Sequence, residues 1–141
     1  MPLDPGLVDA YRRAQYVVFG EPELILCIGE ANEALDALLD EEGAETAAYV
    51  TAANPNGRRA GMTENLLAQT ALVEALREAG YACHAGEGRD PTGGWPAEPS
   101  VLVVGIPRTE AEVLGRSYEQ NAIVFVERGR APELLLLADY E

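Results

Sequence analysis

The chain alternates between short, wholly apolar runs and stretches in which apolar positions recur every three or four residues, and this alternation divides it into elements. Residues 4–15 read as a helix: Asp4 stands as cap, Pro5 takes the first helical position, and Leu7, Val8, Tyr11 and Ala14 fall on one side. Two β-rich runs follow, 16–19 and 24–28, joined by Gly20, Glu21 and Pro22 in the manner of a hairpin loop. Ala31, Ala34, Leu35, Leu38 and Leu39 then repeat at helical spacing, which predicts a helix over 31–42 with Glu33, Asp36, Asp40 and Glu41 on its solvated face. Residues 46–53 return to strand character and stop at Asn54-Pro55-Asn56-Gly57, a dense cluster of turn formers.

A loop over 54–61 ends where Thr63 can cap a helix whose Leu66, Leu67, Val73 and Leu76 are expected to pack inward, and Gly80 terminates it. Residues 81–85 form the next strand. The stretch 87–99 reads as a second long loop, carrying Gly88, Pro91, Gly93, Gly94, Pro96, Pro99 and the only tryptophan, Trp95. The most apolar strand covers 100–106, and Thr109 with Glu112 makes a capping box that opens a short helix running to Tyr118. Strands at 122–126 and 134–137, joined near Gly129 and Pro132, complete the pattern. The sum is an α/β fold of mixed α+β character: a single layered domain over residues 1–141, with about four helices and a mixed sheet of about seven strands. No internal repeat or low-complexity tract interrupts it.

Composition changes the picture at one point. Acidic residues number 24 against 10 basic ones, a formal net charge of −14, and every basic residue is arginine. A chain without lysine and rich in Ala, Gly, Arg and Glu is the product expected of a GC-rich bacterial genome. So negative a surface repels phosphate backbones and anionic membranes, which argues against direct nucleic-acid or membrane binding. No basic start followed by a long apolar run marks the N-terminus and no stretch approaches the ~20 apolar residues of a membrane span, so a cytoplasmic location is expected. Cys27 and Cys83 lie within apolar runs, where a thiol behaves as a small hydrophobe, and neither a CxxC nor a Cys/His cluster exists. No metal and no cofactor is indicated. Signatures of P-loop enzymes, Rossmann dehydrogenases, zinc hydrolases and nucleophile-elbow hydrolases are absent.

Three polar segments remain, each where a strand or helix ends. In the first, Thr51, Asn54 and Asn56 emerge at the end of a strand, with Asn65 at the start of the next helix, an arrangement suited to an anion, a carboxylate or a ribose. The competing reading is a plain turn in which the asparagines close on their own backbone. The second is Trp95-Pro96-Ala97-Glu98-Pro99-Ser100, where flanking prolines restrict the backbone that aims Glu98. Glu98 is the candidate general base or acceptor for a donor-rich ligand, or else a carboxylate that satisfies its own loop. The third, Tyr118-Glu119-Gln120-Asn121, offers Gln120 to a ligand or to orphan carbonyls at a helix end, and Asn121 reads as structural. His84, the only histidine, sits in a strand among small neighbours with no nucleophile close in sequence, and reads as structural too.

Taken together, TAANPNG with the downstream Asn65, EPS leading into an apolar strand, and YEQNAIVFV resemble the bacterial family catalogued as domain of unknown function 3293, over a span from about Tyr11 to Leu137. The resemblance implies no assigned activity and no catalytic residue. It implies a small stand-alone bacterial protein, and Thr51, Asn54, Asn65, Glu98, Ser100 and Gln120 fall within the motifs that carry it. Ala52-Ala53-Asn54 is also similar to the asparagine-bearing strand end of macrodomains, without their triple-glycine stretch.

Two functions follow as expectations. One is a binding module or low-activity enzyme for a small polar or nucleotide-like ligand, held where Thr51, Asn54, Asn56, Asn65, Glu98, Ser100 and Gln120 converge; it requires the two long loops to meet. The other is an acidic interaction domain whose carboxylates from Glu33 to Glu45 dock a basic protein partner or block a nucleic-acid-binding protein.

Overall fold

A computed structural model describes residues 4–55 and 58–137. The chain order is α1 (Pro5–Arg13), β1 (Gln15–Val18), β2 (Leu24–Leu26), α2 (Glu33–Glu41), β3 (Thr46–Val50), α3 (Met62–Glu78), β4 (Ala82–Arg89), β5 (Glu98–Val104), α4 (Arg108–Ser117), β6 (Ala122–Glu127) and β7 (Glu133–Leu136). The expected α/β character is adopted, with four helices and seven strands among the described residues. The strands form one sheet in the order β2-β1-β4-β5-β3-β6-β7.

Every neighbouring pair in that sheet is antiparallel, so the sheet is not mixed as the alternation of strands and helices suggests. The reason lies in the strand order. Helix α3 joins β3 to β4, but β5 is inserted between those two; α4 joins β5 to β6, with β3 inserted between them. Each crossover thus links two strands of like direction that are split by one of opposite direction, which gives β3-α3-β4-β5-α4-β6 the connectivity of a ferredoxin-like double split βαβ unit. The β1–β2 hairpin extends this unit beyond β4, and β7 extends it beyond β6.

Both faces of the sheet are covered, which is why β3, β5 and β6 carry unbroken apolar runs rather than alternating ones. On one face Leu72 and Leu76 of α3 and Ala111 of α4 pack against Ala48, Val50, Val101, Val103, Ile123 and Phe125. On the other, Leu35 and Leu39 of α2 pack against Ala47, Leu102, Val104 and Val126. Helix α2 covers only one end of that second face. The other end lies beneath α1, which has half-buried Leu7, Val8 and Tyr11 but no fully buried residue.

Several local expectations shift, each for an identifiable reason. Gly61, not Thr63, occupies the cap position of α3, and Leu66 and Leu67 are 52% and 68% exposed. Val73 and Leu76 pack inward as expected, but the rest of that face is Asn65, Ala68, Gln69 and Leu72, because the backbone beyond β3 leaves N–H groups that need acceptors. Gln69 Oε1 accepts from Ala52 N at 3.0 Å and Asn65 Oδ1 from Asn54 N at 2.9 Å. Likewise α4 begins at Arg108 after Pro107, so Thr109 lies inside the first turn and no capping box forms. Asp4 takes the cap position of α1 without a side-chain cap bond, whereas Asn32 caps α2 by accepting from Leu35 N at 3.0 Å.

The longest shift is in β4, which runs through Gly86 and Gly88 to Arg89 and shortens the second loop to 90–97. Gly86 is a strand residue by necessity: a Cβ there would lie 1.9 Å from the Val17 carbonyl oxygen and 3.1 Å from the Tyr49 hydroxyl. Gly88, which reads as a loop former, is likewise an in-strand position, but a Cβ built on it meets nothing within 4 Å.

Candidate functional site

The end of the sheet face that α2 leaves bare encloses a cavity of about 300 Å3, at the small end of the range usual for small-molecule pockets. Its floor is the sheet itself, through Tyr16, Tyr49, Gly88, Ser100, Val124 and Leu134. Ala10, Tyr11 and Ala14 of the α1 region form the roof. One wall comes from the segments after β3 and before β6, with Thr51, Asn54, Arg59, Gln120 and Asn121; the opposite wall is the β4–β5 loop, with Asp90, Gly94, Trp95 and Pro96. Glu98 opens β5 between them. The two long loops therefore meet across one cavity.

Of the residues expected at a site, Thr51, Asn54, Glu98, Ser100 and Gln120 line this cavity. Asn65 does not, but holds one that does. Asn56 lies outside the described residues.

Asn54 is the organising residue of the polar wall. Its backbone adopts φ 48°, in the left-handed region that asparagine tolerates better than most residues. The conformation is fixed by reciprocal bonds: Asn54 N donates to Asn65 Oδ1, while Asn54 Oδ1 accepts from Asn65 Nδ2 and from Ala60 N, each at 2.9 Å. With its oxygen thus spent, the Asn54 side chain hydrogen-bonds the Glu98 carboxyl. The expectation of asparagines that close on their own turn holds for the oxygen, while the amide is turned to the cavity.

Glu98 is half-buried, and among the described residues it makes no ion pair. Loss of water around it raises its pKa above the ordinary carboxyl value, and the Asn54 bond opposes this only in part. Its charge in turn helps to raise the hydroxyls of Tyr11 and Tyr16, in both of which burial is the larger cause. The remaining polar groups are mostly committed. Thr51 Oγ1 donates to Pro99 O at 2.6 Å and accepts from Ala53 N at 3.0 Å, which ties the end of β3 to β5. Ser100 is buried and donates to Glu98 O at 3.1 Å. Gln120 Nε2 donates to Ala53 O at 3.0 Å and to Tyr118 O at 3.2 Å, satisfying backbone at both ends of the wall.

The aromatic part of the cavity has no counterpart in the sequence reading. Tyr16 and Tyr49 meet edge to face, with centroids 5.4 Å apart at 73°, and each hydroxyl anchors backbone: Tyr16 to Tyr11 O at 2.5 Å, Tyr49 to Val17 O at 2.7 Å. Tyr11 OH accepts from Asn121 Nδ2 at 3.2 Å, pinning α1 to the loop before β6. The signal available was modest: six tyrosines against two phenylalanines, with Tyr16 and Tyr49 on strands. On the far wall Asp90 accepts from Thr92 N at 2.8 Å and Thr92 Oγ1 at 2.7 Å, and also from the backbone of Gly94 and Trp95. That staple folds the loop and sets Trp95, 46% exposed, at the cavity mouth.

The family model described as "Protein of unknown function (DUF3293)" matches residues 50–123, more than half of the 141. The chain belongs to this family. No curated protein and no solved structure matches it. The matched segment includes Thr51, Asn54, Asn65, Glu98, Ser100 and Gln120, and so the polar wall, whereas Tyr11, Tyr16 and Tyr49 precede it.

Cys27 and Cys83 are free thiols outside the cavity lining, and His84 pairs with Glu42 at 2.6 Å on the far end of the α2 face. Among the described residues there is no group of three or more His, Cys, Asp or Glu able to hold a metal ion, and no helix long and apolar enough to cross a membrane.

Proposed function

We propose that this DUF3293 protein is a binding module for a small polar or nucleotide-like ligand, which sits in the cavity between the sheet and α1. The observation that carries the reading is Glu98: a half-buried carboxyl without a cationic partner, at the meeting point of three segments far apart in sequence. Burying such a group is unfavourable unless something hydrogen-bonds it, and Asn54 alone leaves acceptor positions open. The tyrosines and Trp95 supply apolar surface for a flat ligand body beside that polar wall. Where the ligand is also turned over, Glu98 is the group placed to accept or donate the proton, since the nearby tyrosyl hydroxyls are pushed further from neutrality.

The docking reading has less support. Of the carboxylates between Glu33 and Glu45, Asp40 and Glu45 pair with Arg128, Glu42 pairs with His84, and Asp36 accepts from Gly129 N at 2.9 Å. These acids tie α2 and its flanks to the body of the fold.

A thermal-shift screen of nucleosides, nucleotides, sugars and amino acids tests the proposal, with Asn54→Ala and Glu98→Gln alongside. A ligand at ~100 times its dissociation constant adds about 2.7 kcal/mol, a shift of several degrees. The expected result is a shift that both variants lose. A shift that both retain, or none from any compound, rejects the cavity as the site.

A further inference from the structure

Gly88 has no conformational reason to be glycine. Its φ lies outside the left-handed region, and a Cβ built on it meets nothing within 4 Å, in contrast to Gly86 two residues earlier. Glycine inside a strand is disfavoured relative to alanine, and here it leaves a stretch of bare backbone that another group could approach closely. Its neighbours define what. In the antiparallel register Gly88 stands directly opposite Tyr16 on one side and Glu98 on the other, and directly opposed residues share a sheet face. The result is a slot two inter-strand spacings wide, about 10 Å, floored by backbone, with a tyrosine along one edge and a carboxyl along the other.

The polar groups left over around that slot are mostly acceptors. Besides Glu98, Gln120 Oε1 and Asn121 Oδ1 take no part in the hydrogen bonds of the described residues, while the amide nitrogens of both side chains are committed. Beside the slot itself the spare donor is the Tyr11 hydroxyl proton, while Arg59 and the Trp95 indole N–H stand at the exposed rim and mouth. We infer that the ligand is a flat heterocycle seated on Gly88 against Tyr16, presenting two adjacent N–H donors of an amidine- or cyclic-guanidine-type edge to the Glu98 carboxyl. Two parallel N–H bonds to one carboxylate are the geometry that such an edge offers and a lone amine does not. This rests on the cavity reading above and narrows it to one class of edge.

The test uses two matched pairs of probes that differ only in the second donor, guanosine against inosine and 2-aminopyrimidin-4-one against pyrimidin-4-one, with binding followed by the fluorescence of Trp95, the only tryptophan. In at least one pair the two-donor member binds about tenfold tighter or more, the effect of one hydrogen bond to a charged group. Glu98→Gln, which keeps the size but offers a single acceptor oxygen, abolishes the preference. Gly88→Val fills the slot and abolishes binding, while its circular dichroism and melting temperature stay close to the parent's. Equal affinities within both pairs, an unchanged affinity in Gly88→Val, or no response to any of the four probes overturns the inference. A different compound that still shifts melting in an Asn54- and Glu98-dependent way would show that the cavity reading stands while the edge class falls.

Discussion

Replacing Asn65 with alanine tests whether the polar wall is pre-built by its own side chains. The substitution removes the acceptor of the Asn54 N–H and the donor to Asn54 Oδ1, both 2.9 Å bonds, while Ala60 N still holds that oxygen. An unpaired, half-buried N–H costs about 1–3 kcal/mol and loss of the second bond about 0.5–1.5 kcal/mol. Against this, alanine in the first turns of α3 is favoured over asparagine by about 0.6 kcal/mol. The net expectation is a loss near 2 kcal/mol, which for a chain of this length lowers the melting midpoint by about 8 °C. Asn65→Asp keeps the acceptor for Asn54 N but sets a carboxylate oxygen against Asn54 Oδ1 in place of the donor, so it should be no better tolerated than alanine. Calorimetry or urea unfolding with a common m-value reads both. Asn65 lies outside the cavity lining, so weakened ligand binding in Asn65→Ala would report the released φ 48° conformation of Asn54 and not a lost contact. A midpoint within about 1 °C of the parent for Asn65→Ala, or an Asp variant as stable as the parent, refutes the clasp.

Three further outcomes are expected. Gly86→Ala drives a Cβ into the Val17 carbonyl 1.9 Å away and should destabilise by about 3 kcal/mol or more, whereas Gly88→Ala meets open space and should be neutral or stabilising within about 1 kcal/mol; paired urea melts decide. Glu98→Gln should gain on the parent as pH rises: the folded protein holds the Glu98 proton more tightly than the unfolded chain, so the parent has that stability at acid pH and loses it as pH climbs through the raised pKa. Melting temperatures at pH 4 and pH 7 check the sign, and a variant that is relatively weaker at the higher pH contradicts it. Tyr49→Phe leaves the buried Val17 carbonyl without its 2.7 Å donor and should cost about 1–2 kcal/mol in equilibrium unfolding.

How much of this was legible follows from what each signal reports. Element type was readable because apolar periodicity reflects which side of a helix or strand is covered, and that is a local property. Element ends were less so wherever glycine or a polar side chain served a partner distant in sequence. Gly88 reads as loop because what makes it strand is its pairing with Tyr16 on β1 and Glu98 on β5, and Leu66 and Leu67 read as core because the acceptors demanded by Ala52 N and Asn54 N had not yet put Gln69 and Asn65 on the inner face. Sheet direction was illegible for the same reason. A strand-helix-strand pattern is the same whether the two strands are adjacent or split by a third, and only pairing between residues such as Ala48 and Val103 decides.

The polar wall was legible where the cavity was not, and the fold explains the asymmetry. Asn54, Glu98 and Gln120 stand at chain ends of elements, where polar residues amid turn formers attract notice in any sequence. The cavity arises from incomplete coverage: the double split βαβ unit carries α3 and α4 on one face, and the opposite face is closed only by elements added outside it. Helix α2 brings Leu35 and Leu39 down onto Ala47, Leu102 and Val104, and leaves the row Tyr16, Gly88, Glu98 to α1. That helix buries no residue completely and is held at Tyr11 by hydrogen bonds through its hydroxyl and its carbonyl oxygen. Had α1 carried leucines long enough to reach Gly88, the space would be core; with Ala10, Tyr11 and Ala14 facing the floor, it remains a cavity with a carboxyl at its edge. The roof is therefore held more loosely than the sheet beneath it, by half-buried contacts and the two hydrogen bonds at Tyr11.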